Sequence, residues 1–395
     1  MTLQQNFRRA QRIAALEISE IVQLTERAAE LRAQGKDVVA LSTGEPDFPT
    51  PPHVVEAAHR AALEGQTRYP ATMGTPALRD VIADQNGVTR ANVIVSTGAK
   101  QVIANAMLAT LDAGDEVVIP APYWTSYSDV VRMAGGTPVV VTCPMAQGFK
   151  ITPEQLEQAI TPATRWVMLN SPSNPSGAIY SASEQKALGE VLARHPQVLI
   201  LVDEIYAHLS YVPFSSFTEV VPELAARVLI VNGVSKAYSM TGWRIGWGIG
   251  PAEMIKAMGA VQGQITSGAC SISQAAALAA LTGDQGLLNE RRDILRQRRD
   301  KVVAALNALE GVTCPQPDGA FYAFPDVSGA LKAGGFGSDA EFCAALLDKA
   351  GLALVPGRAF GLPGHLRLSF AYAESALDTG LDRITRFINE YCAAA

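Results

Sequence analysis

VIVSTGAKQVIANAMLATLDAGDEVVIP, residues 93–120, is the stretch that decides the fold. An apolar run ends in Ser96, a small-residue turn leads to a helix expected over 99–111, and a second apolar run follows at 116–120. The rhythm continues outward with PVVVT at 138–142, a helix over 153–160, WVMLN at 166–170 and a helix over 183–194. LILVDE at 199–204, VLIVNG at 228–233 and RIGWGIG at 244–250 complete it. Continuous Val/Ile/Leu runs separated by helices are how strands buried on both faces of a mostly parallel sheet read. An α/β fold with a central, mostly parallel sheet is expected.

Before this region, residues 19–34 place Ile21, Leu24, Ala28 and Leu31 at helical spacing, with Gly35 as a stop. VVALSTGEPDFPTPP then predicts a short strand followed by irregular backbone, because its prolines and Gly44 break regular structure. After Gly283 comes NERRDILRQRRDKVVAALNAL (289–309), a long helix whose Arg/Asp/Lys run reads as a solvated face. AFYAF, a helix over 338–350, GLALVPG and HLRLSF suggest a smaller α+β domain. The expected division is 1–47 and 286–395 for a small domain made by both chain ends, and 48–285 for the large one.

A chain of 395 residues has room for two or three domains and for a core that needs no disulfide. Hydrophobic residues at 48% against 18% charged describe a globular chain, not a disordered one. The net charge of −6, without a basic block, argues against a nucleic-acid or acidic-membrane partner. Cys143, Cys270, Cys314, Cys343 and Cys392 are scattered with no CxxC, so neither a metal site nor a redox pair is expected. No signal peptide follows Arg8, Arg9 and Arg12, and no run approaches the ~20 apolar residues of a membrane span. A cytoplasmic protein is expected.

In an open parallel sheet, ligands bind outside the carboxyl ends of the strands, so the polar residues there form one candidate set. Ser96-Thr97-Gly98-Ala99-Lys100 opens a helix, where backbone N–H groups and the helix dipole favour phosphate; an ordinary strand–helix turn is the alternative. The spacing of a P-loop is missing there, and GWGIGP at 246–251 fails GxGxxG. Asn170 precedes SPSNPSG (171–177), and Asp203 ends LILVD. A carboxylate at the mouth of a buried strand needs a partner, which a structural salt bridge also supplies. Lys236, in GVSKAYSMTGWR, is either a surface lysine or a desolvated amine suited to Schiff-base chemistry. Arg244 is either structural or a phosphate fork.

SPSNPSG (171–177), DEIY (203–206) and SKAYSMTGWRIG (235–246), in that order, resemble the class I pyridoxal-phosphate aminotransferases of fold type I, closest to bacterial aspartate aminotransferases. The likeness runs from STGEPDF (42–48) through PDGAFYAF (317–324) to HLRLSF (365–370). It implies pyridoxal 5'-phosphate carried on Lys236, which also moves the proton during the reaction. It implies Asp203 on the pyridinium nitrogen, Tyr206 and Asn174 on the ring's 3-oxygen, and Trp124 stacked on its face. Gly98, Ala99, Lys100, Ser235 and Arg244 would surround the phosphate. Arg367 would clamp the substrate α-carboxylate, with Gly44, Trp124 and Asn174 bordering it. Tyr69 would reach the phosphate of a neighbouring subunit, making a homodimer with shared sites. Trp124 and Tyr69 can also be read as core aromatics.

RDVIADQNGVTRANVI (79–94) is shorter than the matching stretch of relatives. Glu17 and Ile21 stand where relatives that take dicarboxylates often carry Lys or Arg and Thr. The expected reaction is ping-pong transamination between an L-amino acid, aspartate or glutamate first, and a 2-oxo acid. Aromatic or broad specificity, and β-elimination on sulfur amino acids, stand beside it. A ligand-sensing domain of a transcription regulator would need an added DNA-binding domain, and about 40 residues precede GEPDF.

Overall fold

The computed structural model describes residues 9–14, 16 and 20–392. After a two-residue strand β1 (Val39–Ala40), the chain forms seven strands that make one sheet. They are β2 (Val93–Ser96), β3 (Glu116–Ala121), β4 (Thr137–Thr142), β5 (Thr164–Asn170), β6 (Leu199–Asp203), β7 (Val228–Gly233) and β8 (Gly246–Ile249). Their order across the sheet is β2-β8-β7-β6-β5-β3-β4. All neighbouring pairs are parallel except those of β8, which runs against both β7 and β2. Because β8 runs backwards, it begins at the edge where the others end, with Gly246 opposite both Ser96 and Gly233.

Alternate residues of the strands divide between two apolar clusters. Val93, Val95, Val167, Leu169, Ile200, Val202, Val228 and Ile230 belong to one, and Ile94, Trp166, Met168, Leu201, Leu229 and Val231 to the other. Side chains alternate across a strand, so the sheet is covered on both faces and its strands need apolar residues at every position. β4 is the exception. It is one of the two edge strands, none of its residues is fully buried, and Val140 is 43% exposed. The even burial expected of PVVVT therefore fails at this edge, whereas the opposite edge strand, β2, is buried throughout.

The helix expected over 99–111 spans Ala99–Thr110, and those expected over 153–160 and 183–194 span Pro153–Ala159 and Ala182–Ala193. Thr152 and Ser181 cap the last two, each accepting from the N–H three residues on. The short stretch at 79–94 closes tightly: Arg79 donates to the carbonyls of Val93 (2.9 Å) and Arg90 (2.6 Å).

The remaining strands are β9 (Tyr322–Ala323), β10 (Leu352–Ala353), β11 (Val355–Pro356) and β12 (Leu366–Ser369). β1 pairs in parallel with β10, and β11-β12-β9 make an antiparallel sheet. Leu41 shares an apolar cluster with Leu306, Phe321, Leu352, Leu368 and Ile384, so the chain from before the central sheet packs with the chain after it. The charged helix spans Gly286–Asn307, and the expected solvated face holds for Glu290, Arg296, Asp300 and Lys301 but is corrected for two arginines. Arg298 and Arg299 are only 8% exposed. Arg298 grips Asp47 with two hydrogen bonds (2.7 and 3.0 Å), and Arg291 donates to the carbonyl oxygens of Pro49 (2.6 Å) and Ala237 (3.2 Å). Charge count alone does not tell which side of a helix carries the charge.

Candidate active site

Four strand ends meet at one edge of the sheet. β5 delivers Asn170 and β6 delivers Asp203, which are register partners. β7 leads to Ser235 and Lys236, and the start of β8 follows Arg244. β2 leads through Gly98 into the helix at Ala99. Gly98 has φ +82, where a side chain would be strained, and an added Cβ there would lie 2.5 Å from Arg244 Nη2. At Gly246 it would lie 2.3 Å from the N of Ala99. These two glycines let the turn, β8 and the arginine close on one another.

A pocket of about 300 Å³ lies at this edge. Its walls include Gly44, Ala99, Lys100, Trp124, Asn174, Asp203, Tyr206, Ser235, Lys236, Arg244 and Arg367. Of the residues expected from sequence, only two are not on those walls. Gly98 stands directly behind, against Arg244. Tyr69 is 93% exposed, so it contributes nothing to the pocket of its own chain. Glu17 lies outside the described residues, and of Ile21 only the backbone is described.

Lys236 Nζ donates to the Gly44 carbonyl over 2.7 Å. Burial, then the charge of Arg367, pulls its pKa down to about 8. Asp203 is 3% exposed, and burial pushes its pKa up to about 6. Hydrogen bonds from the Tyr127 hydroxyl (2.7 Å) and the Ile205 N–H (3.1 Å) oppose that rise, as does the charge of Lys236. Arg367, at the β11–β12–β9 sheet, donates to Asn174 Oδ1 (3.0 Å) and to the Ser42 carbonyl (2.5 Å). Its guanidinium lies over the rings of Tyr322 (4.5 Å) and Phe360 (4.9 Å). Its Nε is buried without a partner. Tyr206 and Tyr322 share a hydrogen bond of 2.9 Å between hydroxyls. Lys100 sits at the rim with its amine 4.9 Å from the centre of the Trp124 ring.

The arrangement supplies an amine biased towards its neutral, nucleophilic form, a buried carboxylate facing the same space, and a cation fork at the far wall. Asn170, one of the strand-end residues picked out in the sequence, is on these walls as well, whereas sequence reasoning missed Tyr127, Thr241 and Tyr322. Tyr322 stands within PDGAFYAF and Tyr127 three residues after Trp124, but nothing in the sequence around either marks it as lining the site. Among the described residues no group of three His, Cys, Asp or Glu could hold a metal ion, and no helix is long and apolar enough to cross a membrane.

A lysine after one strand, an aspartate ending the next and an arginine from the opposite wall, set on this sheet, define an aminotransferase. The chain belongs to the family described as aminotransferase class I and II, whose model matches residues 36–384. It is 51% identical over 391 residues to the aspartate aminotransferase of Rhizobium meliloti strain 1021, covering 96% of this chain and 95% of that one. The aspartate/prephenate aminotransferase of Cereibacter sphaeroides is 50% identical over 388 residues, covering 95% and 97%. A crystal structure of the aspartate aminotransferase from Rhizobium meliloti superposes with a TM-score of 0.93 at 48% identity, covering 97% and 99%. That from Thermus thermophilus with maleate gives 0.90 at 40%, covering 96% and 100%. The fold is accordingly fold type I, with a large sheet domain and a smaller α+β domain made by both chain ends.

Proposed function

We propose that the pocket holds pyridoxal 5'-phosphate and that the enzyme transfers the amino group of aspartate or glutamate to a 2-oxo acid. One observation carries this reading: the Lys236 amine and the Asp203 carboxylate face one pocket, opposite the buried fork of Arg367. The residues fit such a group. The glycine-lined turn and Arg244 make a cradle that a Cβ at Gly98 would fill, and the Arg367 Nε has a donor to spare. Gly98, Ala99, Ser235 and Arg244 would hold the phosphate, Trp124 would cover the ring, and Asn174 and Tyr206 would meet its 3-oxygen. When bound, the cofactor supplies an aldehyde and an electron-withdrawing ring.

The chain's own residues do the rest. Lys236, with a pKa near 8, serves as nucleophile and then as the base that moves a proton at the substrate α-carbon. Asp203 would hold positive charge at the far end of a bound ring. Arg367 fixes the α-carboxylate and thereby the orientation of the bond to be broken. Lys100, whose amine hangs beside Trp124 at the pocket rim, is the cation available for a second carboxylate. The Thermus thermophilus relative solved with maleate, a dicarboxylate, supports a dicarboxylic substrate. The aspartate/prephenate relatives support a wider acceptor range. The bare exposure of Tyr69 fits a role in the pocket of a second copy, and so a homodimer. A cytoplasmic location and a division of the chain near residues 48 and 285 belong to the same proposal.

Purified protein should absorb in the visible, and the band should shift when aspartate or glutamate is added. A spectrum indifferent to every common amino acid would refute transamination. Lys236→Ala should lower turnover by roughly a thousandfold or more. Ammonia and pyruvate released from cystathionine without an acceptor would select the β-lyase reading instead.

A further inference from the structure

Asp203 is buried enough that its charge is opposed, and the side chain aimed at it is Tyr127. The Tyr127 hydroxyl donates to Oδ2 over 2.7 Å, while Oδ1 accepts the Ile205 N–H over 3.1 Å. Each carboxylate oxygen therefore has one fixed donor, and the plane of the carboxylate is set. Tyr127 is itself 2% exposed. Burial and the neighbouring Asp203 hold its pKa well above 10, so it stays a donor through the neutral range. Its ring also stands edge-on to Trp124, with centroids 5.5 Å apart and planes at 87°. One residue thus touches both the group for a bound ring's far end and the group for its face.

We propose that Tyr127 is a positioning residue of the active site, holding Asp203 turned into the pocket while squaring Trp124 against it. The proposal rests on the reading of the pocket as a pyridoxal-phosphate site. Ordinary core packing is the competing account, and the two differ in what the hydroxyl does. Behind Tyr127 lies a cavity of about 20 Å³, lined in part by Tyr123, Lys150, Asn170 and Ser173. It has room for about one water. Without the hydroxyl, Asp203 would have either no second donor or a loosely held water in its place.

The test compares the wild-type holoenzyme with Tyr127→Phe, which keeps the ring against Trp124 and removes only the donor. Losing a hydrogen bond to the ionised form raises a carboxyl pKa, here by about one unit. The acidic limb of cofactor affinity and of kcat should move upward in pH by that amount. The dissociation constant for pyridoxal phosphate at pH 7 should rise roughly tenfold. kcat should fall more than KM for the amino donor rises. Tyr127→His, which can donate again, should bring the limb back towards wild type. A folded Tyr127→Phe with an unmoved limb and unchanged cofactor affinity overturns the proposal, even if kcat has dropped. Should Tyr127→Phe not fold, Tyr127→His and Tyr127→Met are compared, and coincident limbs in those two overturn it. Wild-type protein that takes up no pyridoxal phosphate refutes the assignment of the pocket before any variant is considered.

Discussion

Asp203 and Lys236 both work against the stability of the fold when no cofactor is bound. The folded Asp203 has a pKa near 6, above its ordinary value. The native state therefore binds more protons than the unfolded chain between about pH 4 and 6. That contribution is present at low pH and is lost as pH rises through 6. Lys236 is shifted the other way, to about 8, so its penalty lies below that value and fades as pH rises towards 10.5. Stripped of cofactor, Asp203→Asn should be more stable than wild type at pH 7.5 by about 1–3 kcal/mol, with the gap closing below pH 6. It should also lose turnover. Paired thermal melts across pH check this, and equal melting at pH 7.5 would show that the carboxylate is well solvated. Lys236 was legible in the sequence because it follows a buried strand within a distinctive motif. Tyr127 was not, because its meaning depends on a partner 76 residues away.

Among the elements, the irregular segment 42–49 does most to join the two halves of the site. Its carbonyls at Ser42 and Gly44 receive Arg367 and Lys236. Asp47 is gripped by Arg298, and both Arg291 and Arg298 pack on Phe48, their guanidiniums 5.2 and 5.3 Å from its ring centre. A segment with no ladder of its own must be held by side chains, and the inner face of the charged helix supplies them. Arg298→Ala should lower stability by about 1–3 kcal/mol and raise KM more than it lowers kcat, because two carbonyl acceptors lose their fixed places. Arg298→Lys should recover only part, since an ammonium has no fork. Melting curves and steady-state kinetics test both; unchanged KM in Arg298→Ala would show that the segment holds itself. The prolines and Gly44 revealed that this stretch is irregular. Its anchorage stayed hidden, because a run of arginines reads the same whichever side of the helix faces inward.

On the scale of the whole molecule, the alternation of apolar runs and helices gave away the central sheet almost strand by strand, since burial on both faces leaves an unbroken apolar signature. The reversed direction of β8 was not readable, because an antiparallel strand in the middle of a sheet needs the same residues as a parallel one. The exposed Tyr69 carries the prediction that belongs at this scale. Neither Lys236→Ala nor Tyr69→Ala alone should reach wild-type activity. Unfolding and refolding them as a mixture should restore about a quarter of it, since half the dimers would be hybrids with one intact site each. No recovery on mixing would show that each chain works alone. The pairing of β1 with β10, together with the bond from Arg367 to Ser42, also bears on synthesis. A ribosome releases Ser42 325 residues before Arg367, so the nascent chain carries its lysine and aspartate long before the opposite wall exists. Competence to bind substrate therefore waits on translation of the far wall, when β10 and Arg367 return to β1 and Ser42.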